Sequence, residues 1–302
     1  MELITDIRQM QRWADATRAQ GQRIGFVPTM GYLHAGHLSL VGQAQRHCDV
    51  TVASIFVNAL QFGSNEDLDC YPRDVKRDAR LLSEAGTTVL FLPDARVMYP
   101  DGFQTTVKVE QVTRGLCGAA RPTHFGGVTT VVLKLFHIVK PHVAVFGMKD
   151  FQQLVAVRRM VSDLNMDIEI VGAPIVREPD GLAMSSRNAY LSTAERQAAR
   201  CLVEGLAAAA ALLQRGETDG LRILAAARRV ITDEPLARLE YATLADPKTL
   251  EEVSTVCAPT LLALAVYIGK TRLIDNCILS GDSTVESQRL EAAREASARG
   301  AS

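Results

Sequence analysis

The chain has 302 residues, a length that predicts two domains at roughly 150 residues per domain. Hydrophobic residues make up 47% and charged residues 22%, which is typical of a folded protein and excludes a disordered one. The 33 Lys and Arg against 34 Asp and Glu leave a net charge of -1. This balance excludes a global basic field for nucleic acid or an anionic membrane surface.

The cysteines and the apolar runs indicate the compartment. No two of the 6 cysteines form a C-x-x-C pair, and their gaps match no zinc-site spacing. No apolar run reaches the roughly 18 residues of a membrane span, and the charged start predicts no secretory signal. We therefore expect a cytoplasmic protein with reduced thiols that has neither nucleic-acid nor membrane partners.

Apolar runs of strand length alternate with helical patterns in the first half of the chain. The runs are residues 24–28, 50–57, 88–92, 143–147 and 168–171, and the helical patterns are 37–47, 74–85, 128–139 and 151–164. Short, nearly continuous β-branched runs are typical of strands buried on both faces of a parallel sheet. The alternation predicts a Rossmann-like, doubly wound α/β domain over residues 1–175, with its ligand beyond the carboxyl ends of the strands.

The pattern changes after about residue 176. An Ala- and Leu-rich stretch at 193–215 predicts one long helix that begins at a capping box of Ser192 and Glu195, and 219–231 predicts a second helix. Strands are predicted at 239–244, 262–268 and 272–278. We expect a smaller α+β lid domain over 176–282, then a polar, disordered tail over 283–302.

The strongest functional signal begins where the strand at 24–28 ends. Residues 28–37, PTMGYLHAGH, place a glycine-containing turn and a new helix at the carboxyl edge of the sheet, a geometry that binds phosphate. His34 and His37 are spaced to share one face of the first turn, and imidazole donates to phosphate and can become cationic. A plainer interpretation remains open, in which both histidines are surface or helix-capping groups.

A second segment, Met-Ser-Ser-Arg at residues 184–187, offers hydroxyls and a guanidinium suited to β- and γ-phosphates. Alone it is a common polar loop. Together with H-x-G-H it resembles the HIGH-like and KMSKS-like motifs of the nucleotidyltransferase superfamily. Six segments within residues 26–192 resemble, in order, the pantoate–β-alanine ligase family: FVPTMGYLHAGHLSL, SIFVNALQF, DLDCYPRD, RPTHFGGVTTVVLKLF, VFGMKDFQQL and VREPDGLAMSSRNAYLS.

The resemblance implies a two-step reaction. ATP and pantoate form pantoyl adenylate and pyrophosphate with Mg2+, and β-alanine then attacks the acyl carbon to release AMP and pantothenate. It also implies a homodimer. Two alternatives remain: a nucleotidyltransferase that keeps the nucleotide in its product, and a non-catalytic or impaired nucleotide-binding homologue.

The resemblance also assigns the nucleotide site. His34 would contact the phosphates, and His37 would be the family's proton donor, for which we prefer stabilisation of the pentavalent transition state. Lys149 would reach the phosphates and Asp150 the metal or ribose side. Val176 would contact adenine through its backbone. The catalytic set is His34, His37, Lys149, Ser185, Ser186 and Arg187, and the expected ATP-binding residues are these with Met30, Gly31, Tyr32, Leu33, Ala35, Gly36, Gly147, Met148, Asp150, Val176 and Met184.

The substrate residues implied by the resemblance are amides. Gln61 and Gln153 match the family's pantoate-binding pair, and Gln61 also matches a contact to β-alanine. A Gln amide both donates and accepts, which suits a substrate with hydroxyls and a carboxylate. Asn58 would orient pantoate or its hydroxyl, and Asp78 is a weak metal candidate.

Three positions depart from the family pattern. Ala59 replaces a usual proline in N-P-x-Q-F, Met148 stands where Glu or Gln is usual, and Ala35 stands where Glu is common. The lost proline frees a φ angle and is expected to loosen the pantoate loop. Met148 and Ala35 both flank binding residues, so we expect these two changes to alter affinity more than chemistry.

Overall fold

The computed structural model describes residues 1–63, 66–257 and 259–280. Two compact units are present: Met1–Arg114 with Gly118–Pro174, and Gly115–Cys117 with the described residues from Ile175 onward. The tail predicted over 283–302 lies outside the described residues. Within the described residues, no helix has the length and apolar character needed to cross a membrane.

A six-stranded parallel sheet forms the centre of the first unit, in the order β1-β4-β3-β2-β5-β6. Its strands are β1 (Glu2–Ile4), β2 (Ile24–Thr29), β3 (Val50–Ile55), β4 (Val89–Phe91), β5 (Val143–Gly147) and β6 (Glu169–Ala173). Most residues of β2 to β5 are buried, as their continuous apolar runs predict.

Helices cover both faces of this sheet. The helices of residues 1–163 are α1 (Ile7–Ala19), α2 (Ala35–His47), α3 (Val75–Glu84), α4 (Ala95–Met98), α5 (Leu116–Ala120, which begins in the second unit), α6 (His124–Val139) and α7 (Phe151–Asp163). Residues of α1, α6 and α7 form one core with Phe26 and Val52, and residues of α2 and α3 form another with Val27 and Ala53. Because successive strand residues point to opposite faces, each strand feeds both cores, and the predicted doubly wound fold is confirmed.

The second unit is a smaller α+β arrangement, also as predicted. Its helices are α8 (Thr193–Ala198), α9 (Cys201–Gln214) and α10 (Gly220–Thr232), and its antiparallel strands are β7 (Ala237–Ala245), β8 (Thr260–Ile268) and β9 (Thr271–Leu279). Side chains from α9, α10 and all three strands form its core. Gly269 has φ +55° in the turn between β8 and β9, a left-handed conformation that favours glycine.

Two local predictions were incomplete or wrong. The capping box of Ser192 and Glu195 is present, but the stretch at 193–215 is two helices rather than one. The Arg200 N–H donates to Gln197 O at 3.2 Å, a 3-10 bond that tightens the chain between α8 and α9. Strand β1 and helix α1, which begins at an Asp6 side-chain cap, were not predicted.

The strand order locates the functional loops. β2 is hydrogen-bonded to β3 on one side and to β5 on the other, so the chain's winding direction reverses at β2. The loops after β2, β3 and β5 therefore leave the same edge of the sheet, at the switch point where ligands bind in such folds.

Candidate active site

The turn after β2 is fastened by a carboxylate from α3. Asp78 is 1% exposed, and its two oxygens accept the N–H groups of Tyr32 (2.6 Å) and Leu33 (2.8 Å). Gly31 and Tyr32 have φ values of +87° and +50°. Gly31 suits this left-handed geometry, whereas Tyr32 is strained there and is held in place by its bond to Asp78.

His34 and His37 cap the helix that follows. The Gly36 N–H donates to His34 Nδ1 at 3.1 Å, and the His34 N–H donates to His37 Nδ1 at 3.3 Å, a reciprocal capping box at the start of α2. Since each Nδ1 accepts a backbone proton, each Nε2 carries the ring proton in the neutral side chain and is a donor. Capping, which was the plainer interpretation, is therefore compatible with a donor Nε2 on each ring.

The environment keeps His37 neutral. Burial, together with the nearby charges of His34 and Lys149, lowers the pKa of His37 to about 3. The two imidazole rings lie 4.1 Å apart between centroids. At neutral pH the His37 ring can therefore donate a hydrogen bond to an anion but has no dissociable imidazolium proton to give.

The loop after β5 brings Lys149 to the same place. Residues Met148–Asp150 form a single 3-10 turn between Gly147 and α7, and the charge of Lys149 acts on His37. Asp150 is exposed, and Gln153 lies half-buried in the first turn of α7.

The loop after β3 carries the amide pair Asn58 and Gln61, and both are buried. Asn58 Nδ2 donates to Gln61 Oε1 and to the Gly127 carbonyl, each at 3.1 Å, while Asn58 Oδ1 accepts the Tyr99 hydroxyl at 2.8 Å. Gln61 Nε2 in turn donates to Met30 Sδ at 3.1 Å. Protein groups engage both ends of the Asn58 amide, and one of these contacts is to Gln61.

The Gln61 backbone is held as well. His124 Nδ1 donates to the Gln61 carbonyl at 2.9 Å, and Arg121 Nη2 adds a longer bond of 3.3 Å. Arg121 is ion-paired with Glu66. Burial, together with the Arg121 charge, lowers the pKa of His124 to about 4, so this ring is also neutral at neutral pH.

Asp78 has little capacity left for a metal. Its carboxylate is committed to the backbone of the turn, and Arg77 lies 3.5 Å from it. Across the described residues, no group of three or more His, Cys, Asp and Glu side chains is placed to hold a metal ion. The contacts favour Asp78 as the support of the phosphate-binding turn.

The remaining predicted residues lie in the second unit. The Met184 N–H donates to the Val176 carbonyl at 3.0 Å, next to an antiparallel bridge between Arg177 and Ala183. The Ser185 side chain accepts the Arg187 N–H at 3.3 Å and caps a 3-10 turn that begins at Ser186. This segment is therefore locally ordered by its own backbone.

Sequence reasoning missed Tyr99 and Gly127 as part of the site's support. A tyrosine and a glycine give no catalytic signal on their own. The G-G pair at 126 and 127, just before the helix predicted at 128–139, was the available hint, since glycine is common where two backbones approach closely.

The fold and the loops define a class: a doubly wound α/β protein whose switch-point site presents imidazole donors at a helix N-terminus. A family model for pantoate-beta-alanine ligase matches residues 2–278. A pantothenate synthetase of Syntrophobacter fumaroxidans is 57% identical over 279 residues, covering 92% of this chain and 99% of that protein. One of Heliobacterium modesticaldum is 56% identical over the same shares.

Solved structures similar to this chain belong to the same family. Pantothenate synthetase from Thermus thermophilus has a TM-score of 0.88 at 44% identity, covering 92% of this chain and 99% of that one. A pantoate-beta-alanine ligase from Francisella tularensis, complexed with beta-gamma ATP and beta-alanine, has a TM-score of 0.76 at 33% identity, covering 94% and 100%. The chain belongs to the pantoate-beta-alanine ligase family and is a ligase that forms an amide bond.

Proposed function

We propose that this ligase condenses pantoate with β-alanine in two steps at the switch-point site. A pantoate carboxylate oxygen attacks the α-phosphorus of ATP, and the bond to the bridging oxygen breaks to release pyrophosphate. The β-alanine amine then attacks the acyl carbon, a C–N bond forms, the C–O bond to AMP breaks and the amine loses a proton. Adenylation is needed because a free carboxylate is a poor electrophile.

The observation that carries the proposal is the pair of Nε2 donors of His34 and His37 at the N-terminus of α2. A helix N-terminus and its N–H groups favour an anion, and donors fixed before the reaction stabilise charge that develops on phosphate oxygens. Lys149 adds a positive charge beside His37. Because burial and the neighbouring charges disfavour the imidazolium form of His37, we assign it hydrogen-bond stabilisation of the pentavalent transition state in preference to proton transfer.

Gln61 and Gln153 are proposed to bind pantoate, and Gln61 also β-alanine. The buried Gln61 amide donates directly to Met30 in the phosphate-binding turn. A substrate oxygen that accepts a hydrogen bond from Gln61 would therefore lie close to the nucleotide site. Val176, Met184, Ser185, Ser186 and Arg187 are proposed to contact adenine and the distal phosphates, through a lid domain that spans residues 176–282.

The described residues do not form a protein-only Mg2+ site. Mg2+ commonly uses few protein ligands together with substrate phosphates, so we propose that it is bound chiefly by ATP and neutralises phosphate charge there. A homodimer and a cytoplasmic location are also proposed, by likeness to the family alone.

The test omits each substrate in turn and measures pyrophosphate and AMP release from ATP and Mg2+. We expect pyrophosphate release to require pantoate, and rapid AMP release to require β-alanine as well. A nucleotidyltransferase that keeps its nucleotide would give an AMP-containing product without any amine. ATP binding without pyrophosphate release would instead indicate a non-catalytic homologue.

A further inference from the structure

Protein groups contact Gln61 at its side-chain amide, its carbonyl and its N–H. We propose that Gly127 and Tyr99 are positioning residues, which fix the polarity and the place of the Gln61 amide so that it presents its N–H2 end to the hydroxy-acid substrate. The proposal deepens the pantoate-binding role of Gln61 and rests on it.

The polarity is set by a chain of hydrogen bonds with one fixed end. The Gly127 carbonyl can only accept, so the Asn58 amide end at 3.1 Å from it must be Nδ2. The second Nδ2 proton then goes to Gln61, and the Gln61 atom that faces it must be Oε1. Gln61 Nε2 is left as the donor end.

Tyr99 fixes the other end of the Asn58 amide. Its hydroxyl donates to Asn58 Oδ1 at 2.8 Å, so it satisfies the acceptor end of the amide whose orientation the Gly127 carbonyl sets. The Tyr99 ring is held between Phe56 and Phe103, with centroids 6.0 and 5.0 Å away. An aromatic cluster therefore positions the hydroxyl that holds the Asn58 amide in place.

The donor end of Gln61 is available for exchange. Its present acceptor is Met30 Sδ, and a thioether sulfur accepts hydrogen bonds weakly. A carboxylate or hydroxyl oxygen is a far better acceptor, so a substrate with both groups would replace or complement the sulfur contact.

The place of Gln61 depends on the missing side chain of Gly127. A Cβ at Gly127 would lie 2.3 Å from Leu60 O, 2.5 Å from Leu60 C and 2.6 Å from Gln61 N. These are backbone atoms, so the Leu60–Gln61 peptide itself would have to shift. The adjacent Gly126 offers a matched control, because its Cβ would meet only Thr106 Cγ2 at an ordinary 3.7 Å.

Hydrogen bonds to the Gln61 backbone oppose such a shift of the Leu60–Gln61 peptide. The Gln61 carbonyl accepts from His124 and Arg121, and the Asn58 carbonyl accepts the Gln61 N–H at 3.2 Å. A displaced peptide would therefore break bonds on both sides, and the amide would leave its fixed geometry.

The experiment compares the full-length enzyme with Gly127→Ala, Gly126→Ala, Tyr99→Phe and Gln61→Ala by steady-state kinetics, with thermal unfolding as the check on folding. We expect Gly127→Ala to raise the KM for pantoate at least tenfold and Tyr99→Phe at least threefold. The KM for ATP should stay within twofold in both, and Gly126→Ala should match the wild type. A role in stability alone would lower the melting temperature without this split between the two KM values.

A double-mutant cycle separates the proposal from the function on which it rests. If Gly127 and Tyr99 act through Gln61, then Gly127→Ala and Tyr99→Phe add little once Gln61 is Ala. If each substitution has its full effect on the pantoate KM in the Gln61→Ala enzyme, the positioning role is overturned. It is also overturned if the Gly127→Ala or Tyr99→Phe enzyme is folded and its pantoate KM is unchanged. If Gln61→Ala itself leaves the pantoate KM unchanged, the binding role of Gln61 fails instead, and the positioning role fails with it.

Discussion

The Asp78 carboxylate accepts the backbone N–H of Leu33 at 2.8 Å, across 45 positions of sequence. This bond, with its partner from Tyr32, joins α3 to the turn that presents the two histidines. A buried carboxylate thus sets the backbone of the phosphate-binding turn, and the site's geometry depends on a residue outside the motif.

Asp78→Asn should loosen this turn. The amide nitrogen would face a backbone N–H in place of an acceptor, so one hydrogen bond is lost, at a cost of about 1–3 kcal/mol for the unsatisfied buried donor. We expect lower unfolding stability and an increase in the ATP KM. Glu84→Gln, an exposed change on the same helix, is the control. Unchanged stability and ATP KM in Asp78→Asn would contradict the supporting role.

His37→Ala should slow adenylation by at least about 10²-fold, a typical loss for one transition-state donor. The rate is measured as the pantoate-dependent burst of pyrophosphate in a rapid-quench experiment. His37→Gln keeps an N–H donor and should recover part of the rate. His47→Ala, exposed at the other end of α2, is the matched control. A burst of wild-type rate in His37→Ala would remove this residue from the mechanism.

The buried histidines predict a pH dependence of stability. The pKa of His124 is about 4 in the folded protein, below the ordinary 6.5, so the unfolded chain binds more protons at pH 4 to 6.5. Stability therefore falls as the pH is lowered through this window. His124 alone accounts for about 2 kcal/mol between pH 7 and 5.

Urea unfolding at several pH values tests this linkage. The loss of stability on acidification should be smaller in His124→Gln than in the wild type, while His47→Gln, with an exposed side chain, should keep the wild-type slope. Equal slopes in all three proteins would show that His124 does not contribute.

Ala59→Pro tests whether the loop is loose without the family's proline. Ala59 is the first residue of a 3-10 turn, and Asn58 before it is extended at φ -88° and ψ 102°, a conformation that tolerates a following proline. Because side-chain and backbone bonds already hold Asn58 and Gln61, we expect the pantoate KM to change less than threefold. A tenfold improvement would show that the wild-type loop is mobile, as the sequence alone suggested.

The sequence predicted the features that depend on neighbours along the chain. The runs at 50–57 and 143–147 are largely apolar because β3 and β5 are buried on both faces. The glycines of PTMGYLHAGH predict the turn after β2 from local sequence alone. No glycine or proline lies at the break between α8 and α9 to predict it. Its 3-10 bond follows from packing, so no local pattern could reveal it.

The site's supports could not be predicted because they depend on contacts across long stretches of sequence. Asn58 reaches the Gly127 carbonyl 69 positions away, and Tyr99 reaches Asn58 across 41. The family resemblance assigned Asn58 to pantoate, and Asp78 was only a weak metal candidate. The structure shows that protein groups engage both.

The most direct test of the two-step account follows one oxygen atom. Pantoate labelled with 18O in its carboxylate is incubated with ATP, Mg2+, β-alanine and the enzyme, and the products are examined by mass spectrometry. The account predicts that one labelled oxygen passes to AMP and none to pyrophosphate, because the carboxylate attacks the α-phosphorus and the amine later breaks the acyl C–O bond. Unlabelled AMP, or label in another phosphate product, would contradict the adenylate intermediate.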